Sequence, residues 1–427
     1  PADEQSPTDV PDLSAIEGYP RTFREMQKLY EGKTAEERMQ IRNRLMAANR
    51  DAVNATMSWW MKRMAYGPRP LQEKLTLFWH GHFTTSARDE RSAWLMWRQN
   101  ELLRRFAAGN FGSFVKAISR DPAMLDYLNN AQNRKAKPNE NYARELMELF
   151  TLGIGNYTEQ DIKEAARAFT GWAHDGDDYI FRRFDHDDGE KTFMGRRGRF
   201  GGDDIVDIIL QHPRCAAYIA GRLYEFFVAD ECDPALRESL GDVLRSGGYE
   251  LRPLLRALFT SRAFYQPSVI GAQIKSPVQL VAGTVRLLGV TMPDTRQLMT
   301  VLNQMGQVPL MPPNVKGWPG GRMWINTSTL FVRYNTAVSL AAGTPVAVGP
   351  AAGRFQRPRP GGAADLAPAA GDTAEGIVDR WVGRLIQRPI DSAKRRTLID
   401  VVGPRPTESS VRQLVQLIVS MPDYQLC

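Results

Sequence analysis

Apolar residues recur three and four positions apart along most of this chain, which is the spacing of amphipathic helices. Two or more helices are predicted within residues 20–64. Further helices are predicted at 71–80, 90–107, 111–119, 121–130, 139–152, 158–170, 203–211, 213–228, 234–246, 251–260, 276–288 and 295–304. Because helices account for nearly every predicted element, the pattern indicates an all-α fold class with a multi-helix globular body.

Two segments depart from the helical pattern. Residues 179–202 alternate aromatic, charged and glycine residues without a helical period, which predicts a small β-hairpin excursion against the helical body. Residues 341–372 consist mainly of Ala, Gly and Pro with a few Arg, a composition typical of a linker. We therefore divide the chain into a helical main domain at 1–340, this linker, and a C-terminal helical segment at 373–427.

The end of the C-terminal segment repeats a pattern of the main domain. Residues 411–425 and 251–266 both join an apolar helix to a turn with serine and, four positions later, an aromatic residue. An apolar helix face must be buried against a partner in a globular protein. We therefore expect the C-terminal segment to dock onto the main body.

Composition and charge exclude several classes of partner. The 55 Lys and Arg against 48 Asp and Glu give a net charge of +7, which favours acidic partners only weakly in 427 residues. Arg196, Arg197 and Arg199 form a basic turn, but the aromatic-interleaved basic pattern of a nucleic-acid surface is absent. No apolar run is long enough to span a membrane, and no signal-peptide pattern opens the chain.

The three cysteines do not form a metal-binding pattern. Cys215, Cys232 and Cys427 lack the paired spacing of zinc sites. A straight helix would hold Cys215 and Cys232 about 25 Å apart, which is too far for a disulfide. Free, buried thiols are therefore the favoured interpretation, although a bent helix would allow a bridge.

The helix predicted at 139–152 carries a stripe of polar side chains. Asn141, Glu145 and Glu148 follow one another at one-turn spacing, Arg144 is placed beside Glu148, and Glu140 lies near the N-terminal end. The stripe is either a solvated face with internal ion pairs or one wall of a functional site. If the carboxylates are buried, they need cationic or metal partners.

Two histidines lie at and just beyond the end of the helix predicted at 71–80. His80 and His82 flank Gly81, which we expect to end the helix. In an extended chain, side chains two positions apart point the same way, so both imidazoles would reach one metal ion. The alternative interpretation is a pair of structural histidines with no ligand role.

Other candidates for the same site come from the predicted β excursion. His186, Asp187 and Lys191 lie in or beside a turn there. Two or three imidazoles with one or two carboxylates, such as Glu145 and Glu148, are the ligands of Zn²⁺, Mn²⁺ or Fe²⁺ sites. The sequence therefore predicts a divalent metal ion if these side chains converge.

A proline- and glycine-rich loop offers groups for binding a polar substrate. Asn314, Lys316 and Trp318 place an amide, an ammonium group and an indole in a segment that is unsuited to a helix. The indole of Trp318 would stack on a sugar or another ring. The competing interpretation is that Trp318 fills the core and Lys316 is solvated.

Seven segments of the chain resemble the bacterial domain of unknown function 1800 family. They are PLQEKLTLFWHGHFTTS (70–86), AAGNFGSFVKAISRDPAMLDYL (107–128), PNENYARELMELFTLGIGNYTEQDIKEAARAFTGW (138–172), HDDGEKTFMG (186–195), IKSPVQLV (274–281), MGQVPLMPPNVKGWPGG (305–321) and WINTSTLFVRYN (324–335). The resemblance implies an exported bacterial protein, periplasmic or secreted, encoded beside a family related to alkaline phosphatases and sulfatases. A helical HLLRRAGFG-like segment that usually opens family members is missing before Pro1, and the chain lacks a starting Met, so we expect processing or trimming.

Two functional hypotheses follow. The first is an extracytoplasmic metal-dependent hydrolase of a polar or acidic, glycan-like substrate. Its metal ligands would be His80, His82, Glu145 and His186, its general base Glu140, Glu148 or Asp187, and its substrate-binding groups Arg144, Lys191, Asn314, Lys316 and Trp318. The second is a non-catalytic binding or assembly subunit acting with a phosphatase- or sulfatase-like protein. Nucleophile-elbow, Walker, HExxH and dinucleotide signatures are absent, so no common enzyme class is indicated.

Overall fold

Helices make up most of the computed structural model, which describes residues 10–89, 92–344 and 366–427. The first eight α-helices are α1 (Phe23–Tyr30), α2 (Ala35–Tyr66), α3 (Pro70–His82), α4 (Ala93–Phe106), α5 (Phe111–Ser119), α6 (Pro122–Tyr127), α7 (Asn141–Glu145) and α8 (Glu159–Ala168). The remaining ten are α9 (Gly202–Gln211), α10 (Pro213–Phe227), α11 (Pro234–Ser246), α12 (Leu251–Thr260), α13 (Pro277–Leu288), α14 (Thr295–Met305), α15 (Thr327–Ala342), α16 (Ala374–Leu385), α17 (Ser392–Val402) and α18 (Glu408–Ser420). The predicted all-α fold class is confirmed.

The β structure is larger than predicted and begins earlier. Two separate antiparallel hairpins lie between α8 and α9, and their strands are β1 (Trp172–Asp175), β2 (Asp178–Phe181), β3 (Lys191–Phe193) and β4 (Arg196–Gly198). The first hairpin was missed in part because Trp172 continues the apolar pattern of α8, yet it pairs with Phe181 across the hairpin. In the second hairpin, Met194 and Gly195 both take positive φ angles, which suits a two-residue hairpin turn.

Helix α3 lies between two hydrophobic clusters. Leu77 belongs to a cluster built mainly from α2 and α13 to α18, whereas Leu75, Phe78 and Trp79 belong to a cluster built mainly from α5 to α12. A helix that is apolar around most of its circumference is buried on all sides. Helix α3 is therefore the central element to which both halves of the protein pack.

The three C-terminal helices share the first cluster with α13, α14 and α15. The Tyr424 hydroxyl lies 2.6 Å from the hydroxyl of Thr284 on α13, and Arg333 of α15 donates to Gln425 across 2.9 Å. Most of the predicted linker, residues 345–365, lies outside the described residues. Its predicted start was wrong, because α15 runs to Ala342.

All three cysteines are free thiols in the structure. Cys215 and Cys232 are buried, as the favoured interpretation required, and Cys427 is exposed. Burial raises the pKa of the Cys215 thiol to about 12, so this thiol is a poor nucleophile at neutral pH. Within the described residues, no helix has the length and apolar character needed to cross a membrane.

A buried carboxylate joins α2, α3 and α4. Glu73 of α3 is 3% exposed and accepts hydrogen bonds from Trp60 (3.0 Å), Arg63 (3.2 Å) and Arg104 (2.8 and 2.9 Å). Arg104 also pairs with Glu101 on its own helix. Because a buried charge is tolerated only when its partners satisfy it, these contacts fix the relative positions of the three helices.

We predict that Glu73→Ala lowers the free energy of unfolding by about 3–5 kcal/mol, because it leaves the Arg104 guanidinium buried without its main partner. Urea denaturation measures the loss. Glu101→Ala is the matched control, since Glu101 pairs with the same arginine but is 39% exposed, and it should cost about 1 kcal/mol or less. Equal losses in the two variants would contradict a dominant role for the buried pair.

Candidate functional site

Helix α3 does not end at Gly81, and the two histidines do not share a face. The helix continues to His82, so residues 80 and 82 are separated by roughly 200° around the helix axis. The expectation of an extended chain with parallel imidazoles was therefore wrong. Sequence reasoning failed here because the glycine is accommodated inside the last helical turn.

His80 faces the α2 side of α3 and is 1% exposed. Its ring lies against the rings of Trp60 and Trp318, with centroid distances of 5.6 and 5.4 Å. Neither ring nitrogen finds a hydrogen-bond partner among the described residues. Burial without a polar partner lowers the pKa of His80 to about 3, so the ring is neutral in the folded protein.

His82 faces the opposite cluster and is also buried. Its Nε2 lies 3.0 Å from the carbonyl oxygen of Phe150, so the neutral ring carries its proton there and leaves Nδ1 as an acceptor. The ring stacks on Phe78 with centroids 5.7 Å apart. Burial, followed by the nearby Arg222 charge, lowers the pKa of His82 to about 3.

The predicted substrate loop is docked on the end of α3. Gly317 has a φ of +81°, and a Cβ there would lie 2.3 Å from the carbonyl oxygen of Gly81, so only glycine fits. The Asn314 carboxamide oxygen accepts a hydrogen bond from the Lys316 amide (2.9 Å). Asn314 therefore shapes the loop, and Trp318 is half-buried against the core, as the competing interpretation proposed.

A cleft of about 500 Å³ opens beside this loop. Its walls are the end of α3, including His82, the C-terminal half of α10, residues 273–279 and residues 316–324. Trp318, Trp324 and Lys316 all line it. This size lies in the range of small-molecule binding sites, which combine apolar walls with a few fixed polar groups.

Several polar side chains of the cleft are held by the local backbone. The carboxamide oxygens of Gln279 and Gln307 accept hydrogen bonds from backbone amides at the start of α13, both at 3.0 Å. Arg222 pairs with Glu225 one turn later on α10 (2.7 Å). Lys316 is exposed on the loop. The cleft therefore presents amides and charges of both signs beside two indoles.

The polar stripe lies on a helix that changes type. Helix α7 ends at Glu145, and a π-helical turn follows over Leu146–Thr151. The Thr151 hydroxyl donates to the Leu146 carbonyl oxygen (2.5 Å), which supports the wider turn. The predicted continuous α-helix was thus wrong in its second half, and π-helical turns are frequent at functional sites.

Glu145 and Glu148 form a carboxylate pair on this helix. Glu148 accepts a hydrogen bond from the Tyr157 hydroxyl (2.9 Å), and both carboxylates are half-buried. Partial burial, reinforced by the Glu148 charge, raises the pKa of Glu145, whereas Lys316 and Arg144 act in the opposite direction. The stripe and the substrate loop are therefore close enough to interact electrostatically.

Arg144, which was predicted beside Glu148, forms its ion pairs with other carboxylates. Its guanidinium makes two hydrogen bonds of 2.9 Å to Glu159 at the start of α8 and one of 3.3 Å to Glu140. These contacts tie α7 to α8, because Glu159 is the first residue of that helix. Arg144 and Glu140 are therefore engaged in ion pairs, and neither lines the cleft.

The three candidates of the β excursion stabilise their own loop. Lys191 is 1% exposed and donates to the carbonyl oxygens of Asp187 and Gly189 (2.6 and 3.0 Å). Arg167 contacts Asp187 at 2.7 Å and holds the pKa of that carboxyl below its usual range, which makes it a weak base. His186 Nδ1 lies 2.7 Å from the Thr170 carbonyl oxygen. None of the three lines the cleft.

The predicted metal ligands do not fit a common ion in this arrangement. His80 and His82 lie on different faces of α3, and His186 bonds to the backbone beside β1. Within residues 10–89, 92–344 and 366–427, no three His, Cys, Asp or Glu side chains are grouped as metal ligands. The Zn²⁺, Mn²⁺ or Fe²⁺ ion and its ligand set with Glu145 stay a prediction.

Comparison with known proteins gives a family. A family model described as a protein of unknown function, DUF1800, matches residues 3–426. The chain belongs to this family. No curated protein and no solved structure matches it. The family resemblance inferred from separate motifs thus extends over nearly the whole chain, including the segments that build the cleft.

Sequence reasoning missed several cleft residues of this DUF1800 protein. Arg222, Gln273, Gln279 and Gln307 lie on helices or short connections that carry no recognisable chemical motif. A weak signal was available for Gln279 and Gln307, because both fall within segments that resemble the family. Their role depends on the packing of α10 and α13 against α3, which no local pattern encodes.

The two buried histidines predict a pH dependence of stability. Each is neutral when folded, with a pKa of about 3, but binds a proton near pH 6.5 when unfolded. The unfolded chain therefore binds more protons between these values. The stability that the two neutral histidines provide is fully present above pH 6.5. As the pH falls toward 3, the free energy of unfolding decreases by about 1.4 kcal/mol per pH unit for each histidine.

We predict that His80→Phe, which keeps a ring but removes the titrating group, makes the free energy of unfolding fall less steeply with decreasing pH. The slope should change by about 1.4 kcal/mol per pH unit, as measured by urea denaturation between pH 7 and pH 4. Leu77→Met, on the same face of α3, should leave the slope unchanged. A His80→Phe slope equal to that of the wild type would show that His80 is accessible to protons when folded.

Proposed function

We propose that this protein binds a polar, glycan-like ligand in the cleft beside α3. The observation that carries the proposal is the pairing of the Trp318 indole with fixed amides and charges on one concave surface. A sugar ring presents an apolar face of C–H groups and a rim of hydroxyl groups. An indole can stack on the apolar face, and carboxamides, carboxylates and guanidinium groups can form hydrogen bonds with the hydroxyl groups.

The charges of the cleft favour a ligand that carries some negative charge. Lys316 and Arg322 supply cationic groups from the loop, Arg222 adds a third that pairs with Glu225, and Asp230 is the second carboxylate. Three cations against two carboxylates leave one net positive charge. Because Lys316 is exposed on a docked loop, its ammonium group is free to reach a carboxylate or sulfate of the ligand. An acidic glycan is therefore the preferred class.

Binding alone suits the role of a non-catalytic subunit. The family resemblance suggests an extracytoplasmic setting and an alkaline phosphatase- or sulfatase-like partner, and in that role the cleft would present a glycan to the partner. Both the compartment and the partner stay predictions. Co-purification of the protein with its genomic neighbour would support the assembly role.

Hydrolysis of the bound ligand is the second candidate. The Glu145 and Glu148 pair favours it, but neither carboxylate lines the cleft, and the pair is linked to it only through the charge of Lys316. Two carboxylates with different surroundings are what acid–base catalysis at a glycosidic bond requires. The raised pKa of Glu145 suits a proton donor, and Glu148 would then act as the base. The charge of Lys316 partly opposes the rise in the pKa of Glu145 and so links this pair to the loop that would hold the ligand.

A glycan array tests the binding proposal. The wild-type protein should retain a subset of acidic glycans, and Trp318→Ala and Lys316→Ala should each weaken binding at least about tenfold, since each removes a principal contact. Phe331→Ala, which truncates an aromatic side chain that is 63% exposed outside the cleft, is the control. Binding should persist in EDTA, because the predicted metal ligands do not meet.

Retention of no glycan, or equal retention by Trp318→Ala and the wild type, would contradict the binding proposal. Loss of glycan binding in EDTA would instead support the prediction of a metal ion. For the hydrolysis candidate, Glu145→Gln should stop turnover of a retained glycan while leaving its binding intact. If the wild type binds a glycan without ever cleaving it, the non-catalytic role stands.

A further inference from the structure

Two adjoining turns project from the protein on the β side. A tight turn at Arg134–Lys137 is closed by the Lys137 amide donating to the Arg134 carbonyl oxygen (2.9 Å). A 3₁₀ turn at Arg183–Asp185 follows strand β2. The Lys135 amide donates to the Asp185 carbonyl oxygen (2.7 Å) and joins the two. Residues 134–137 and 181–185 are called the turn surface below.

The turn surface combines apolar and cationic side chains. Phe184 is 92% exposed, the most exposed of the large apolar side chains in the described residues, and Phe181 is 43% exposed. The cationic side chains, all exposed, are Arg134, Lys135, Lys137, Arg182 and Arg183. Asp185 is the one carboxylate within these nine residues and lies 3.7 Å from Arg134, and Asp188 just beyond them lies 3.8 Å from Arg183. Five cations against these two carboxylates leave three positive charges.

The backbone holds this surface firmly. The Arg182 amide donates to the Gly171 carbonyl oxygen (2.7 Å), and a Cβ on Gly171 would lie 2.6 Å from the Arg182 carbonyl oxygen. His186 bonds to the Thr170 carbonyl oxygen directly after the turn. The exposed Phe184 is therefore presented on a fixed support, and neither hydrophobic cluster includes it.

We propose that the turn surface docks the protein reversibly on an anionic phospholipid membrane. A protruding phenylalanine surrounded by cations suits the boundary between headgroups and acyl chains, where the ring enters the apolar layer and the cations pair with phosphates. A protein partner would need a broader apolar area than two rings at a projecting tip. The inference is independent of the proposed glycan binding.

The positive charge of the turn surface determines how strongly the protein should bind the membrane and how binding should respond to salt. Each cationic side chain close to an anionic bilayer strengthens binding by about fivefold. The cations of the turn surface are exposed, so salt screens them. Binding should therefore be clear at low ionic strength and largely lost at high ionic strength.

Vesicle co-sedimentation tests the proposal with the full chain. Vesicles of phosphatidylcholine and phosphatidylglycerol, about three to one, should sediment the wild-type protein, and pure phosphatidylcholine should not. Arg182→Glu with Arg183→Glu should lower binding at least about a hundredfold, because the surface charge changes by four units. Phe184→Ser should lower binding several-fold and leave a weaker, fully salt-sensitive attachment.

Matched controls separate this surface from the general charge of the protein. Arg252→Glu with Arg256→Glu makes the same change of net charge on the exposed face of α12, and Phe331→Ser removes a different exposed ring. Both should bind as the wild type does. Equal losses in the α12 variant, or wild-type protein that stays unbound at low salt, would overturn the proposal. Retention on heparin without binding to vesicles would overturn it in favour of a soluble polyanion.

Discussion

The buried Glu73 carboxylate is the contact on which the arrangement of the protein depends. Helix α3 packs into two hydrophobic clusters at once, and apolar contacts alone would leave it free to slide or rotate. The directional hydrogen bonds of Glu73 to Trp60, Arg63 and Arg104 fix its rotation. The resulting orientation of α3 places His80 in contact with one cluster and His82 in contact with the other.

The cleft follows from this placement of α3. The end of the helix lies where the two clusters meet. The predicted substrate loop with the residues that follow it, called loop 312–324, covers this end through the close approach of Gly317 to Gly81. Trp318 consequently lies over His80 on one side and borders the cleft on the other. The same residues serve packing and the wall of the site, so the structural and binding interpretations of Trp318 are compatible.

Local patterns predicted most of the helices, because periodicity is a property of neighbouring residues. The helix predicted at 158–170 begins at Glu159 behind a capping box of Thr158 with Asp161. Helix α15 was missed. Contacts between distant elements could not be predicted in the same way. Lys191 was placed in a binding site but lies inside its own loop, because burial depends on packing that one sequence does not encode. Features of the site that depend on such packing, including the π-helical turn and the amides of the cleft, required the structure.

The proposed ligand-binding wall of the cleft is loop 312–324, docked on α3. Calorimetric titration of Gly317→Ala with a glycan retained by the wild type tests this role most directly. Gly383→Ala on the exposed face of α16 is the control, because it lies outside the cleft and a Cβ there meets nothing within 4 Å. The added methyl group at residue 317 must displace the loop. We predict at least about a tenfold loss of affinity for Gly317→Ala and none for Gly383→Ala. Unchanged affinity in Gly317→Ala would contradict the account.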